Sequence, residues 1–187
     1  VGDNEKNVKI NREKILNNLG FIKSLYINQV HGKRVVNAED HLDKNKIIEA
    51  DAIICEDYDL PITLTTADCA PILFADPIKG IIGAAHAGWR GAIEGITDNL
   101  IDMFYRKGSN PNNIHVAIGP CIGKESFEVK NDMIEIALQK DAVSKKFFNQ
   151  ISNLYYFDLP GYLLSKIKSK GIFNISWIGE DTYRNPK

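Results

Sequence analysis

The chain has 187 residues, of which 44% are hydrophobic and 25% charged, and its 23 basic and 24 acidic residues give a formal net charge of −1. This length fits one compact domain with its own core, and the composition is that of globular rather than disordered, collagen-like or membrane proteins. The basic residues are scattered among acidic ones and form no stripe, which excludes the electrostatic footprint of a typical nucleic-acid-binding protein.

Three cysteines, Cys55, Cys69 and Cys121, form no Cys-x-x-Cys pair. An odd number of cysteines is a poor disulfide framework, which favours a reducing compartment. No apolar run approaches the roughly 20 residues that span a bilayer, and no charged segment leads into an apolar signal core. We therefore expect a cytoplasmic protein without nucleic-acid or membrane partners. Cys55, inside an apolar run, is expected to lie in the core.

The first part of the chain predicts a helix followed by short strands. Asp3 or Asn4 can cap a helix that extends to about Leu19 and stops at Gly20. Strands are expected over residues 21–30 and 34–36, with a turn at residues 31–32. Four apolar stretches follow, and because they are apolar almost continuously, we expect both faces of the sheet to be covered. These stretches are residues 52–55, 61–66, 71–75 and 81–85.

The second part of the chain alternates between helical and strand patterns. The spacing of apolar residues predicts helices over residues 88–106, 130–140 and 160–170. Strands are predicted over residues 114–118, 155–159 and 172–178. Because no internal repeat or linker interrupts the pattern, residues 1–187 are predicted to form a single α+β domain, a mixed β-sheet core layered with helices.

Four short segments place polar or reactive side chains at the ends of apolar strands, framed by glycine or proline. Functional groups are commonly carried there because a rigid scaffold positions them. The segments are residues 28–32 (Asn-Gln-Val-His-Gly), 66–71 (Thr-Ala-Asp-Cys-Ala-Pro), 85–91 (Ala-His-Ala-Gly-Trp-Arg-Gly) and 118–123 (Ile-Gly-Pro-Cys-Ile-Gly). His41 and His115 lack such framing and are expected to be structural.

Within these segments, His31, Cys69 and His86 offer two imidazoles and one thiolate, a ligand set that zinc binds well. Three protein ligands would leave a fourth tetrahedral position for water or substrate, as in catalytic zinc sites. Each residue also has an ordinary structural interpretation, since a histidine at a turn is commonly just hydrogen-bonded and a cysteine in an apolar stretch commonly belongs to the core. Spacing alone leaves both interpretations open.

The segment around Arg90 also suits an anion. Gly88 and Gly91 allow the backbone to approach a ligand at the start of a helix, where N–H groups and the helix dipole favour negative charge. The Arg90 guanidinium can add a forked contact to phosphate. An exposed arginine in a first helical turn is the competing interpretation.

Together the motifs resemble the bacterial family labelled multicopper polyphenol oxidase or laccase-like, also called YfiH or DUF152, which is related to the human laccase domain-containing protein. The family pattern is matched in order by residues 29–32, 66–71, 86–91, 118–123 and 128–129. Where many members have Cys-Thr near the C-terminus, this chain has Asp181 and Thr182. Family members extend further at both ends, so we expect residues to be missing here at both ends.

The resemblance implies a YfiH-like fold, a mixed sheet between helical layers, and zinc bound by His31, Cys69 and His86. It also implies a purine nucleoside enzyme that carries out phosphorolysis of adenosine, inosine and methylthioadenosine, together with adenosine deamination. The older oxidase label implies copper instead, but the four histidines of this chain are too few for a multicopper cluster.

Under the purine hypothesis, Arg90 is the candidate for phosphate binding and Asp68 for proton transfer, with a turn cap or support of Cys69 as the other interpretation of Asp68. Three alternatives stay open: a copper-dependent polyphenol oxidase, a non-catalytic zinc-binding module, and a hydrolase in which His86 activates Cys69 or Cys121 as nucleophile. Purine nucleosides and phosphate are the expected ligands, and the protein is expected to be a monomer or homodimer.

Overall fold

A computed structural model describes residues 3–41 and 48–185 as a set of short strands and five helices. The strands in chain order are β1 (Leu25–Tyr26), β2 (Val35–Asn37), β3 (Ala52–Cys55), β4 (Ile62–Thr63), β5 (Ala70–Asp76), β6 (Ile81–Ala87), β7 (His115–Ile118), β8 (Glu128–Val129), β9 (Phe148–Ile151), β10 (Leu154–Phe157) and β11 (Ile175–Trp177). The helices are α1 (Glu5–Asn18), α2 (Trp89–Glu94), α3 (Ile96–Arg106), α4 (Asn131–Lys140) and α5 (Leu159–Ser169), with short 3-10 turns between them.

Six of these strands form a mixed sheet in the order β11-β7-β5-β6-β3-β2. The inner pairs are antiparallel, β5 with both β6 and β7, and β6 with β3. The outer pairs, β2 with β3 and β11 with β7, are parallel. A three-stranded sheet (β8-β10-β9) and the parallel pair β1-β4 complete the strand pairing of the described residues. The predicted α+β class with a mixed sheet core is confirmed.

Strand β3 shows why the apolar runs are continuous. Its side chains alternate between two cores: Ala52 and Ile54 belong to the main core, while Ile53 and Cys55 belong to a second cluster. All four residues are fully buried. A strand covered on both faces needs no polar alternation, so the prediction of two covered faces is correct for β3, and Cys55 is the core residue that the sequence indicates.

The same prediction is wrong for β5, and the neighbouring strand β7 also has an open face. Buried residues alternate with partly or fully exposed ones in both strands, and Leu73 in the middle of β5 is 60% exposed. Helix α3 packs on β2, β3 and β6, and α5 packs on β11, while the second cluster covers the opposite face only around β3. Within the described residues, the face that carries Leu73 therefore lacks a covering layer.

The predicted helices are present, with one correction. Asn4 caps α1, where its side chain accepts hydrogen bonds from two backbone N–H groups of the first turn. The helix expected over residues 88–106 is two helices, because Gly95 between α2 and α3 adopts a left-handed conformation with φ of 92°. The apolar spacing continues across this break, which is why periodicity missed it. No helix of residues 3–41 and 48–185 combines the length and apolarity needed to cross a membrane.

Several strands are shorter than their apolar patterns predict, or lack such a pattern. The strands expected over residues 21–30 and 61–66 are only two residues long each, and they pair with one another as β1 and β4. Strand β9 went unpredicted because it is largely exposed and carries Asn149 and Gln150 among few apolar residues. It forms because β10 supplies its partner, a contact that local sequence does not indicate.

The break at Gly95 predicts a graded loss of stability. A Cβ at Gly95 would lie 3.2 Å from Asp98 Oδ2, whereas a Cβ at Gly20, whose φ is 81°, would meet nothing within 4 Å. We expect Gly20→Ala to lower the free energy of unfolding by about 1 kcal/mol through backbone strain alone, and Gly95→Ala to lower it by roughly 2 kcal/mol. Urea denaturation measures both. Equal losses in the two variants would contradict the contact with Asp98.

Candidate metal centre and adjoining clefts

The four polar segments meet at one edge of the central sheet. Cys69 directly precedes β5, and His86 lies near the end of β6, where the antiparallel register sets Pro71 opposite it. Strand β3 begins at the same edge, because Ala52 pairs with Ala85. Alternating strand directions thus bring the start of one strand beside the end of the next, although the segments are far apart in the chain.

His31, Cys69 and His86 converge at this edge. Their candidate ligand atoms lie within 4.8 Å of one another, and the two imidazole rings stand edge to face with centroids 4.7 Å apart. His86 is only 3% exposed, Cys69 is half-buried and His31 is exposed. In residues 3–41 and 48–185, these three form the one group of at least three histidine, cysteine or acidic side chains with this spacing. We call them the triad.

The donor set of the triad fits a divalent metal ion. Zinc bonds of about 2.0 Å to nitrogen and 2.3 Å to sulfur hold tetrahedral donors roughly 3.5 Å apart, so the triad closes on an ion by moving its donor atoms about 1 Å. Two imidazoles and a thiolate suit zinc better than magnesium or calcium, which prefer oxygen. Three protein donors leave one coordination position, and His31 and Cys69 line the clefts into which it would open.

Asp51 is the residue of the site that sequence reasoning missed. It is fully buried just before β3, and its carboxylate accepts a hydrogen bond from the N–H of His31 at 2.9 Å. The same carboxylate contacts Nδ1 of His86 at 2.8 Å. A single acidic residue inside the apolar stretch of residues 50–55 was the available signal, since a buried carboxylate needs partners.

Two glycines of the segment around Arg90 make room for the triad. A Cβ at Gly88 would lie 3.0 Å from both Cys69 Sγ and His31 Cδ2, and a Cβ at Gly91 would lie 2.6 Å from the carbonyl oxygen of Gly32. The space beside these glycines is therefore occupied by the protein itself. Helix α2 has only six residues. Gly88 also lines the first of the clefts described below, so the expectation that the start of this helix binds an anion stays a prediction.

Two clefts adjoin the triad and share His31, Asp68 and Cys69 in their walls. The first, which we call the apolar cleft, has a volume of about 380 Å³. Its remaining lining is Gly88, Trp89, Arg90, Ile122, Phe127 and Leu159. The second, which we call the polar cleft, has a volume of about 660 Å³, and its further lining includes Arg12, Asn28, Gln29, Thr65, Thr66 and His86.

The predicted catalytic residues Asp68 and Arg90 both face these clefts. Asp68 is exposed, and its carboxylate accepts a hydrogen bond from the Thr182 hydroxyl at 2.7 Å. The C-terminal segment therefore contacts the wall of the clefts through Thr182. Arg90 is exposed at the rim of the apolar cleft, with its guanidinium carbon 5.2 Å from the centre of the Trp89 ring.

Cys121 differs from the other predicted site residues because it lines neither cleft and is fully buried. Burial, followed by the negative charges of Asp181 and Asp158, raises the pKa of its thiol to about 12. Burial and the charges of Asp68 and Asp51 also raise the pKa of Cys69. Because the thiolate is the nucleophilic form of cysteine, these environments argue against the hydrolase hypothesis.

Fold and site together define an α+β protein with an open three-donor centre between two clefts. Comparison with known proteins identifies the family to which this chain belongs. Residues 1–187 match the model of the family described as multi-copper polyphenol oxidoreductase laccase. The chain belongs to this family, as its motifs indicate.

Individual relatives and solved structures agree with this family assignment. Over 185 residues, the chain is 40% identical to a Rickettsia prowazekii protein named purine nucleoside phosphorylase, covering 98% of the chain and 75% of the relative. It is 32% identical over 176 residues to Escherichia coli YfiH, which carries the same name, covering 93% and 70%. A Neisseria meningitidis protein of the DUF152 family matches with a TM-score of 0.89 at 30% identity, covering 100% of this chain and 75% of that one. YlmD from Geobacillus stearothermophilus matches with a TM-score of 0.89 at 27% identity, covering 100% and 74%.

Burial predicts that one thiol reacts in the native protein. An aromatic disulfide reagent should titrate one equivalent before denaturation and all three cysteines after it, because Cys55 and Cys121 are fully buried. The Cys69→Ser variant should lose the native equivalent. The rate for Cys69 should keep rising as pH passes 9.0, its ordinary pKa, because the raised pKa delays thiolate formation. Native reactivity that survives in Cys69→Ser would revive Cys121 as a nucleophile.

Proposed function

We propose that this chain is a zinc-dependent purine nucleoside phosphorylase that also deaminates adenosine. The observation that carries the proposal is the triad at the junction of two clefts. Relatives that align with nearly the whole chain bear the name purine nucleoside phosphorylase. Adenosine, inosine and methylthioadenosine are the proposed nucleosides, and inorganic phosphate is the second substrate.

His31, Cys69 and His86 would hold the zinc ion in this proposal. Bound there, zinc supplies a Lewis acid that stabilises negative charge developing on the substrate. The half-buried position of Cys69 and the buried ring of His86 keep two of the three donors away from bulk water. The remaining groups of the clefts bind the nucleoside, bind phosphate and move a proton.

The apolar cleft suits the purine base. Its volume of about 380 Å³ lies within the range of small-molecule sites, and Trp89 and Phe127 offer aromatic faces to a flat heterocycle. The polar cleft suits the ribose, whose hydroxyl groups match the side chains of Thr65 and Thr66. A nucleoside that spans both clefts has its glycosidic bond at their shared wall, beside Asp68.

Phosphorolysis breaks the bond between ribose C1′ and the base nitrogen and forms one between C1′ and a phosphate oxygen. The electron pair of the broken bond passes to the base, which takes up a proton that the attacking dihydrogen phosphate ion gives up. Asp68 is the carboxyl group in the shared wall, and the hydrogen bond from Thr182 orients it. We assign the proton transfer to Asp68 and the binding of phosphate to Arg90.

Zinc loading and a pair of histidine variants test this function. The zinc-loaded protein should convert adenosine and phosphate to adenine and ribose 1-phosphate, and should form inosine from adenosine. Removing the metal with a chelator, or introducing His31→Ala, should lower both rates by at least about 100-fold, because a donor is lost. His115→Ala is the matched control, since His115 is exposed on β7 and lies outside the triad.

Each outcome of this assay separates the hypotheses. Absence of both adenine and inosine with the zinc-loaded protein overturns the purine proposal. Oxidation of a phenol that depends on added copper would favour the oxidase instead.

The assignment of phosphate to Arg90 has its own test. Arg90→Ala should raise the KM for phosphate by about 10-fold or more, since a charge-assisted hydrogen bond contributes roughly 1.5–3 kcal/mol. Deamination uses no phosphate and should stay unchanged, which provides an internal control. Arg12→Ala is the matched variant, because Arg12 is the arginine of the polar cleft. A larger effect from Arg12→Ala would move the phosphate to that cleft.

Particular observations weigh against the alternatives. The oxidase hypothesis is favoured by the description of the family as laccases, yet His41 and His115 lie outside the triad, so one three-donor centre is what the described residues provide for copper. Structural zinc usually has four protein ligands, and the described part of the chain brings three donors together. A fourth protein side chain on the metal would favour a non-catalytic module.

A further inference from the structure

One buried carboxylate connects the two histidines of the triad. Oδ1 of Asp51 accepts the N–H of His31 at 2.9 Å and lies 2.8 Å from Nδ1 of His86. Oδ2 accepts the N–H of Gly32 at 2.7 Å and the N–H of Val30 at 3.3 Å. Both oxygens are therefore used twice, and Asp51 is fully buried.

The bonds to the backbone hold a turn that is unfavourable in itself. His31 has a φ of 60°, the left-handed conformation that residues with a Cβ adopt at a cost. Three successive N–H groups, those of Val30, His31 and Gly32, point at the Asp51 carboxylate. This negatively charged partner offsets the strain and fixes the direction in which the His31 ring leaves the turn.

The bond to His86 determines which ring nitrogen faces the centre of the triad. A carboxylate surrounded by donors accepts hydrogen bonds, so Nδ1 of His86 carries the hydrogen and Nε2 keeps its lone pair. The main chain adds a second link, since the N–H of His86 donates to the carbonyl oxygen of Asp51 at 2.7 Å. Rotation of the buried His86 ring would break the hydrogen bond between Nδ1 and Asp51 Oδ1 and leave that buried oxygen with one partner fewer.

We propose that Asp51 is the positioning residue that sets both imidazoles of the triad for one metal ion. It is no member of the triad, and it acts through the turn that carries His31 and through the ring of His86. The proposal rests on the metal-binding part of the proposed function and does not depend on the purine substrate. It deepens that function by naming the group that presents the nitrogen donors.

Two matched aspartate variants test the proposal. Asp51→Asn replaces one acceptor oxygen by an NH2 group, which cannot accept the N–H groups that face it. We expect the zinc dissociation constant, measured by competition with a chromogenic chelator, to rise about 10- to 100-fold. Asp76→Asn is the control, because Asp76 is 1% exposed and accepts two backbone N–H groups, those of Ile78 and Lys79, away from the triad. This control should lose stability and keep its zinc affinity.

Cobalt adds a spectroscopic readout. The visible absorption of the Co²⁺-substituted protein reports the geometry around the metal, so it should change in Asp51→Asn and persist in Asp76→Asn. An unchanged zinc dissociation constant and an unchanged cobalt spectrum in folded Asp51→Asn would overturn the role of Asp51. These measurements need no substrate. If the wild-type protein is inactive on purine nucleosides while Asp51→Asn shows the predicted loss of zinc affinity, only the purine function is refuted.

A measurement on the unmodified chain covers the case in which Asp51→Asn does not fold. In the metal-free wild-type protein, long-range ¹H–¹⁵N spectra of the histidine rings distinguish the two neutral tautomers. His86 should have the hydrogen on Nδ1 and a bare Nε2, whereas exposed His115 should show the mixture typical of a solvated ring. A hydrogen on Nε2 together with a bare Nδ1 in the His86 ring would overturn the proposal without any variant.

Discussion

The antiparallel register of β3, β6 and β5 is the constraint on which the site depends. Pairing of Pro71 with His86 and of Ala52 with Ala85 brings two strand starts and one strand end to the same edge of the sheet. Cys69, His86 and Asp51 adjoin those positions, so the sheet hydrogen bonds set their mutual distances. A register slip of one residue would turn His86 to the opposite face of β6 and separate the donors.

Close approach of backbone segments then makes the site compact. The turn at His31 comes from outside the central sheet and must lie against Gly88 and Gly91, where any side chain would collide with Cys69, His31 or the carbonyl of Gly32. The Gln29 side chain fastens the same turn to the neighbouring loop, donating to the carbonyl oxygen of Thr65 and accepting the N–H of that residue. The spacing of glycine and polar residues in these motifs thus reflects packing between loops as much as contact with a ligand.

The description of the family as laccases and the geometry of the centre point to different chemistry. The family description names a multi-copper laccase. The part of the chain that the structure describes assembles a single three-donor group with two clefts beside it. The purine nucleoside function that we propose suits the two clefts better, because a nucleoside has one apolar, flat part and one hydroxyl-rich part. The electron-transfer chemistry of several coppers would require further nitrogen donors close by, and His41 and His115 lie outside the group.

Much of this protein was determined by the sequence alone. Apolar spacing predicted α1, α4 and α5 and the strands of the central sheet, and the framing of His31, Cys69 and His86 by glycine and proline singled out the triad. These signals are local, so they can be recognised without knowing the partner of any segment. Tertiary structure alone decided the burial of Cys121 and the function of Asp51 as a shared acceptor. Both depend on contacts between residues distant in the chain, and a linear pattern carries no information about which distant groups will meet.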